Sequence, residues 1–407
     1  MFIYINKRMR NFYLAEPAPY RSNQLCPEFD IPDYGMGFIY NLGARCTRQR
    51  PINEPYYYYI YAYNNIFQRI AGVVAEHLHT HLVLPPDVRE DVFQGRCKIL
   101  IDHALEGFHV SQYNFDMIRA YLGEYYPHTI LVTGDYRQST STEITSLYSN
   151  YWEKITQQNL KQNDIAYTKL WHQEQLNRKP YNAKFKAICK NRLLRNHRIA
   201  LLKNIHDYDL ADKVNYSFGI VTRHGSEDST NYVHREFTGR VTKTAAEFGY
   251  DPEELLAFVV RHGEKNLHGE KVNLSVNHAS TISDSLLDAH RESYFEIVVE
   301  TNFNSDTIFH SEKTFKSISW MQPFVLCAEQ YSVQALRDFG YDVFDDIFNH
   351  SYDEIENHVD RMDALFVEIQ RLCEISDSKW NEMLSTIRYR LMANVENLNK
   401  ANERFVI

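Results

Sequence analysis

Apolar residues collect in short unbroken runs, and most runs stop at a polar or glycine-bearing turn. Lys98–Ile101 (KILI), Thr129–Val132 (TILV), Phe185–Lys190 (FKAICK), the run from Phe295 to Val299 and the run from Pro323 to Cys327 have strand length. Weaker β signals stand at Phe2–Ile5, at Phe38–Asn41 and in the tyrosine-rich stretch Tyr56–Tyr63. Between the runs the spacing changes to helical: Asn64–Val74, Phe115–Tyr126, a segment carrying Ala200, Leu201, Ile205 and Leu210, then Thr242–Phe248, Pro252–Arg261 and Ser283–His290. Further on, Ser311 reads as the N-cap of a helix reaching Trp320. Val333–Phe339 reads as a helix closed by Gly340, with a strand at Tyr341–Phe344. Ile355 to Arg404 is almost wholly helical, its Leu365, Ile369, Leu372, Trp380, Met383, Ile387 and Leu391 forming a core stripe.

Strands alternating with helices predict an α/β protein with parallel, Rossmann-like sheets. At 407 residues the chain is too long for one ordinary core and suits two domains. The pattern divides it into an N-terminal domain at 1–165, a second domain at 166–375 with an insertion at about 223–280, and a C-terminal bracing helix at 376–407. Six scattered cysteines with no C-x-x-C pair point to reduced thiols. No apolar run has membrane-spanning length, and the N-terminus places apolar residues before charges, the reverse of a signal peptide, so a cytoplasmic location is expected. A net charge of −9 argues against a general affinity for polyanions. A nucleic-acid partner would need a local basic patch, for which Lys7, Arg8, Arg10, Arg45, Arg48 and Arg50 are the candidates.

Two stretches carry chemistry. In Tyr294–Val325 an apolar strand ends at Glu300, a polar loop follows, and Ser311, Glu312 and Lys313 open a helix. Helix N-termini favour anions, and ligands of open α/β sheets bind beyond the carboxyl ends of the strands. The second stretch, Asn191-Arg192-Leu-Leu-Arg195-Asn-His197-Arg198, sets several cations at a helix start, against the dipole, which an anionic ligand would explain.

The strand ending in Glu, the S-E-K helix start and the following proline-led strand resemble the donor-nucleotide half of GT-B glycosyltransferases, most of all the fucosyltransferase-like branch. They are also similar to glycosyltransferase-like proteins of large tailed phages. The resemblance covers about Tyr294–Glu354 and departs from the family at Met321 and Gln322, where a glycine usually precedes the proline. It implies a GT-B-like fold of two Rossmann-like domains facing a cleft, with C-terminal helices. It further implies that Lys313 meets the diphosphate of a nucleotide sugar, that Glu312 and Glu300 meet ribose or sugar, and that Arg198, or else Arg192, adds a second cation beside Asn191 and Ser311. In such enzymes Lys, Arg and helix N-termini take the place of a metal, so neither metal nor cofactor is expected beyond the donor substrate.

An acceptor hydroxyl needs a base, and the acids beyond the N-terminal strands are Glu106, Asp102 and Asp135, with Glu106 preferred because Gly107 permits close approach. The acceptor would be a glycan or a modified DNA base. An inactive scaffold serving as a structural or interaction protein is the alternative reading, and the missing glycine favours it. His77, His79 and His81 have a spacing that can bind zinc, but no fourth ligand stands nearby. Phosphate-loop, nucleophile-elbow and H-E-x-x-H motifs are absent.

Overall fold

A computed structural model describes residues 11–14, 45–47, 54–61, 84–104, 110, 112–137, 143–150, 152–153, 156–157, 160, 165–191, 194–219, 230–263, 267 and 284–401. The chain forms two compact units. The first comprises Met1–Gln158, Asp306–His310 and Asn399–Ile407; the second comprises Asn159–Ser305 and Ser311–Leu398. The division therefore falls after Gln158 rather than near 165. The long C-terminal helix belongs to the second unit, and only the residues from Asn399 onward group with the first.

The first unit is built on six strands: β1 (Asn11–Leu14), β2 (Arg45–Thr47), β3 (Tyr56–Tyr61), β4 (Cys97–His103), β5 (Thr129–Thr133) and β6 (Thr145–Tyr148). They lie in the order β2-β1-β3-β4-β5-β6, and every pairing is parallel. Unbroken apolar runs such as KILI and TILV suit strands covered on both faces. The helices α1 (Pro86–Phe93) and α2 (Gln112–Leu122) contribute Val88, Val92, Phe115 and Ile118 to a core with Ile99, Ile101 and Leu131. Asp91 of α1 accepts a hydrogen bond from Tyr56 Oη at 2.8 Å and pairs with Arg96, so the tyrosine run of β3 is fixed by a buried acid. Gly134 follows β5 where a Cβ would stand 2.7 Å from the Ala104 carbonyl, a gap no other residue fits.

The second unit holds β7 (Phe185–Asn191), β8 (Val214–Phe218), β9 (Ser293–Val299) and β10 (Phe324–Cys327), again all parallel, in the order β10-β9-β7-β8. Its helices are α3 (Ile165–Leu176), α4 (Asn196–Asp207), α5 (Thr230–Phe248), α6 (Pro252–His262), α7 (Asp284–Arg291), α8 (Glu312–Ser319), α9 (Ser332–Asp338), α10 (His358–Glu374) and α11 (Asp377–Asn399). Trp380 of α11 is fully buried and stacks on Tyr294 and Phe295 of β9 at 5.5 and 5.4 Å, which fastens the C-terminal helix to the sheet. The stretch expected to be an insertion supplies α5 and α6, which pack with α4 as an integral layer of this unit.

The expected α/β class with two parallel Rossmann-like sheets is what the structure shows. One local expectation fails. Tyr341–Phe344 is not a strand: Asp342 N–H donates to Asn394 Oδ1 at 2.8 Å and the Asp342 carbonyl accepts from Asn394 Nδ2 at 2.7 Å, so α11 side chains take bonds a strand neighbour would have made. The helical tail is two helices, α10 and α11, parted at Ile375 and Ser376. The polar stretch after Ser139 contributes the edge strand β6. Among elements that held, Gly340 ends α9 at φ +76°, with its N–H on Arg337 O at 2.8 Å. The expected strands at Phe2–Ile5 and Phe38–Asn41, the helix at Asn64–Val74 and the three histidines 77, 79 and 81 lie outside the described residues. No described helix is long and apolar enough to cross a membrane.

Candidate functional site

The connections in the second sheet leave in opposite directions. From β7 the chain passes through α4 to β8 on one side, and from β9 through α8 to β10 on the other. The carboxyl ends of β7 and β9, neighbours in the sheet, thus form a topological switch point, the place where open α/β sheets take ligands. Asn191 ends β7, Glu300 follows β9, and α4 and α8 both start there.

Glu300 is fully buried and committed to the chain. Its carboxylate accepts from Ser311 N–H at 2.9 Å, Thr314 Oγ1 at 2.6 Å and Thr301 N–H at 3.3 Å, and also from the Ser311 hydroxyl. Three of these donors come from Ser311 and the first turn of α8, so the acid anchors the helix start. This geometry replaces the expected contact of Glu300 with ribose or sugar: no side-chain acceptor position faces outward. Ser311 is the N-cap predicted from sequence, its Oγ accepting from Lys313 N–H at 3.4 Å and from Lys313 Nζ at 2.9 Å.

Lys313 keeps 24% of its side chain exposed, with Nζ 4.0 Å from Glu300, 3.3 Å from Glu312 and 3.4 Å from Thr301 Oγ1. Burial works against the Glu312 carboxylate, yet the ammoniums of Lys313 and Lys316 outweigh it and hold its pKa below the ordinary value. Arg198, in the first turn of α4, is only 3% exposed. Its Nη2 donates to the carbonyls of Glu300 at 3.3 Å and Val299 at 3.5 Å, the same strand end that Glu300 ties to Lys313. Burial lowers its pKa, with Glu300 and Glu312 acting in the other direction.

Beside it His197 donates Nε2–H to the Glu300 carbonyl at 3.0 Å and stacks on Phe303 with centroids 5.5 Å apart. Burial first, then the charges of Arg198, Arg195 and Lys313, push its pKa well below 6.5, so the ring is neutral. Arg195 is the N-cap residue of α4, and no side chain caps that helix. Asn191 is 5% exposed; its Nδ2 donates to Cys189 Sγ at 3.2 Å, while its Oδ1 has no hydrogen-bond partner among the described residues.

Arg195, His197 and Thr314 join the predicted residues. The first two lay inside the N-R-x-x-R-x-H-R run, whereas nothing in sequence marked Thr314 as a partner of Glu300. Arg192 and Glu106 lie outside the described residues, as do Lys7, Arg8, Arg10, Arg48 and Arg50 of the basic patch.

In the first unit, Asp102 of β4 is 3% exposed and its Oδ1 accepts from Ala104 N–H at 2.9 Å. Asp135 is 0% exposed, and its Oδ1 accepts from Arg137 N–H at 3.1 Å and Ile308 N–H at 3.2 Å. The structure therefore gives Asp135 the work of holding segment 306–310 to the first unit, in place of the expected access to substrate.

A cavity of about 460 Å³ elsewhere in the second unit is lined by Tyr331, Arg337, His350 and Arg371 among others and holds none of the predicted residues. Its arginines are already paired, Arg337 with Asp345 and Arg371 with Glu368.

No protein-family model matches the chain, and no curated protein sequence does. Among solved structures, a trehalose-6-phosphate synthase, OtsA, aligns at TM-score 0.40 and 12% identity over 87% of this chain and 71% of its own. An α,α-trehalose-phosphate synthase (UDP-forming) from Burkholderia xenovorans, solved with glucose-6-phosphate, aligns at TM-score 0.39 and 12% identity over 87% and 73%.

Proposed function

We propose that the switch point of the second sheet holds the diphosphate of a nucleotide sugar and that the protein is a glycosyltransferase. The observation that carries this reading is the gathering of Lys313 from α8 and Arg195 and Arg198 from α4 around one strand end, where two helices begin. Departure of a sugar from a nucleotide diphosphate leaves negative charge on the β-phosphate. Cations and backbone N–H groups fixed before the reaction stabilise that charge without reorganising. Lys313 is the partly open cation and takes the phosphate oxygens; Arg198, held by carbonyls beneath, supplies field more than contact. Asn191 Oδ1, buried and without a partner among the described residues, is the acceptor we assign to a ligand hydroxyl or N–H. Glu312, kept ionised, is the acid left to a ribose or sugar hydroxyl now that Glu300 serves α8. For the base that takes the acceptor proton we retain Glu106, since Asp102 and Asp135 both accept backbone N–H groups. The acceptor is then a hydroxyl of a glycan or of a modified DNA base.

Calorimetry with UDP, GDP, ADP and inorganic pyrophosphate tests the reading. At least one should bind, and Lys313→Ala should abolish that binding while leaving the melting temperature in place. Absence of any diphosphate binding would support the inactive-scaffold alternative, and binding untouched by Lys313→Ala would remove the assigned site.

A further inference from the structure

The face of the second sheet that carries α8 holds a polar row continuing inward from the diphosphate site. The register Ile188↔Glu296 places Ile188 and Lys190 of β7 on the same face as Glu296 and, further along, Glu300. On this face Thr314 meets Glu300 and Ser317 Oγ donates to Glu296 at 2.7 Å. Lys190 Nζ sits 2.8 Å from Glu296, 3.0 Å from His290 Nε2 and 4.5 Å from the centre of the Trp320 ring. Lys190 and Glu296 therefore neutralise each other, much as Glu312 pairs with Lys313.

Lys316 stands three residues beyond Lys313, on the same side of α8. It is half-buried, and among the described residues its ammonium has neither a hydrogen bond nor an ion pair. The charged groups acting on it are Glu312, Lys190, Lys313 and Glu296, and both acids are already engaged. Burial, against the pull of Glu312 and with the repulsion of Lys190 and Lys313, lowers its pKa to about 8. A half-enclosed ammonium next to two others is an electrostatic cost that a methionine of similar length would not carry. An anion seated against Lys316 would offset that cost.

We infer that the site accepts a ligand bearing a third anionic group beyond the diphosphate, and that Lys316 binds it. This deepens the proposed function and rests on it. The third group is a further phosphate or an acid on the transferred sugar, and both present oxygens to the same ammonium. Lys313 serves the diphosphate in either case, while Lys316 selects among donors.

Calorimetry with base-free probes separates the possibilities. Pyrophosphate is compared with tripolyphosphate, and glucose 1-phosphate with glucuronic acid 1-phosphate, on the wild type, Lys316→Met and Lys316→Arg. The expected result is a gain of about tenfold for the more anionic member of at least one pair, lost in Lys316→Met, kept in Lys316→Arg, with pyrophosphate affinity the same in all three proteins. A gain in the first pair identifies a third phosphate, and one in the second identifies a sugar acid. Pyrophosphate binding with no gain in either pair, or a gain that survives Lys316→Met, overturns this inference alone. A wild type that binds no pyrophosphate overturns the diphosphate site and this inference together. Matching melting temperatures of the variants exclude a folding defect as the cause.

Discussion

The strand ends of the two sheets use their polar residues in opposite ways. In the first unit Asp102 and Asp135 turn inward and accept backbone N–H groups, so their charges are consumed in shaping loops. In the second unit Glu300 does the same for α8, and the cations Arg195, Arg198 and Lys313 gather around it. An acid at a strand end is ambiguous, because backbone donors are plentiful there and a carboxylate satisfies them readily. A lysine or arginine at a helix start is repelled by the N–H groups there. Cations gathered at such a place are therefore a better guide to a ligand than acids are.

The comparison can be broken at four points. The largest effect is expected from Glu300→Ala, which strands four donors in a dry site and should cost about 3 kcal/mol of stability in chemical denaturation. If it is silent, the acid is not the anchor of α8. Asp135→Ala removes two backbone partners and should cost about 2 kcal/mol without altering pyrophosphate affinity measured by calorimetry. A change in that affinity would mean that this acid does more than hold a loop. Lys313→Ala should reverse the pattern, weakening pyrophosphate at least about tenfold while stability shifts by less than about 1 kcal/mol.

The smallest effect is the pH dependence of Lys316. Its pKa in the folded chain, about 8, lies below the ordinary 10.5, so between those values the unfolded chain binds more protons and stability should rise with pH. Over the same rise the attraction for a third anionic group should fade, because the ammonium loses its proton near pH 8. Lys316→Met should flatten both profiles, and equal slopes in wild type and variant would discard the assignment.

The sheets were legible because parallel strands covered on both faces leave long apolar runs, as at Thr129–Thr133 and Ser293–Val299. The edge strand β6, TSLY, is half-buried throughout and offers no such run. The break between α10 and α11 was readable in principle, since Ser376 Oγ accepts from Lys379 N–H at 3.3 Å and serine is a favoured helix start. At the site, residue types indicated charge and place correctly for Lys313, Arg198 and Ser311. They could not say whether Glu300 looks outward or back at Thr314, because that depends on how α8 lies on β9. Nor could they reveal that Lys190 is held by Glu296, a residue that interrupts an apolar strand.

The five residues 306–310 belong with the first unit although their neighbours on both sides belong with the second. Ile308 N–H on Asp135, and Asn150 Nδ2 on the His310 carbonyl at 3.0 Å, tie them there, and Gln157 Nε2 reaches the Asn399 carbonyl at 2.6 Å. During synthesis the ribosome delivers the first six strands early, yet their last tethers emerge only after residue 306 and again near 399. The amino-terminal half must therefore wait, partly unfinished, until residues far downstream have been made, and any gene fragment that stops at residue 305 removes one partner each from Asp135 and Asn150.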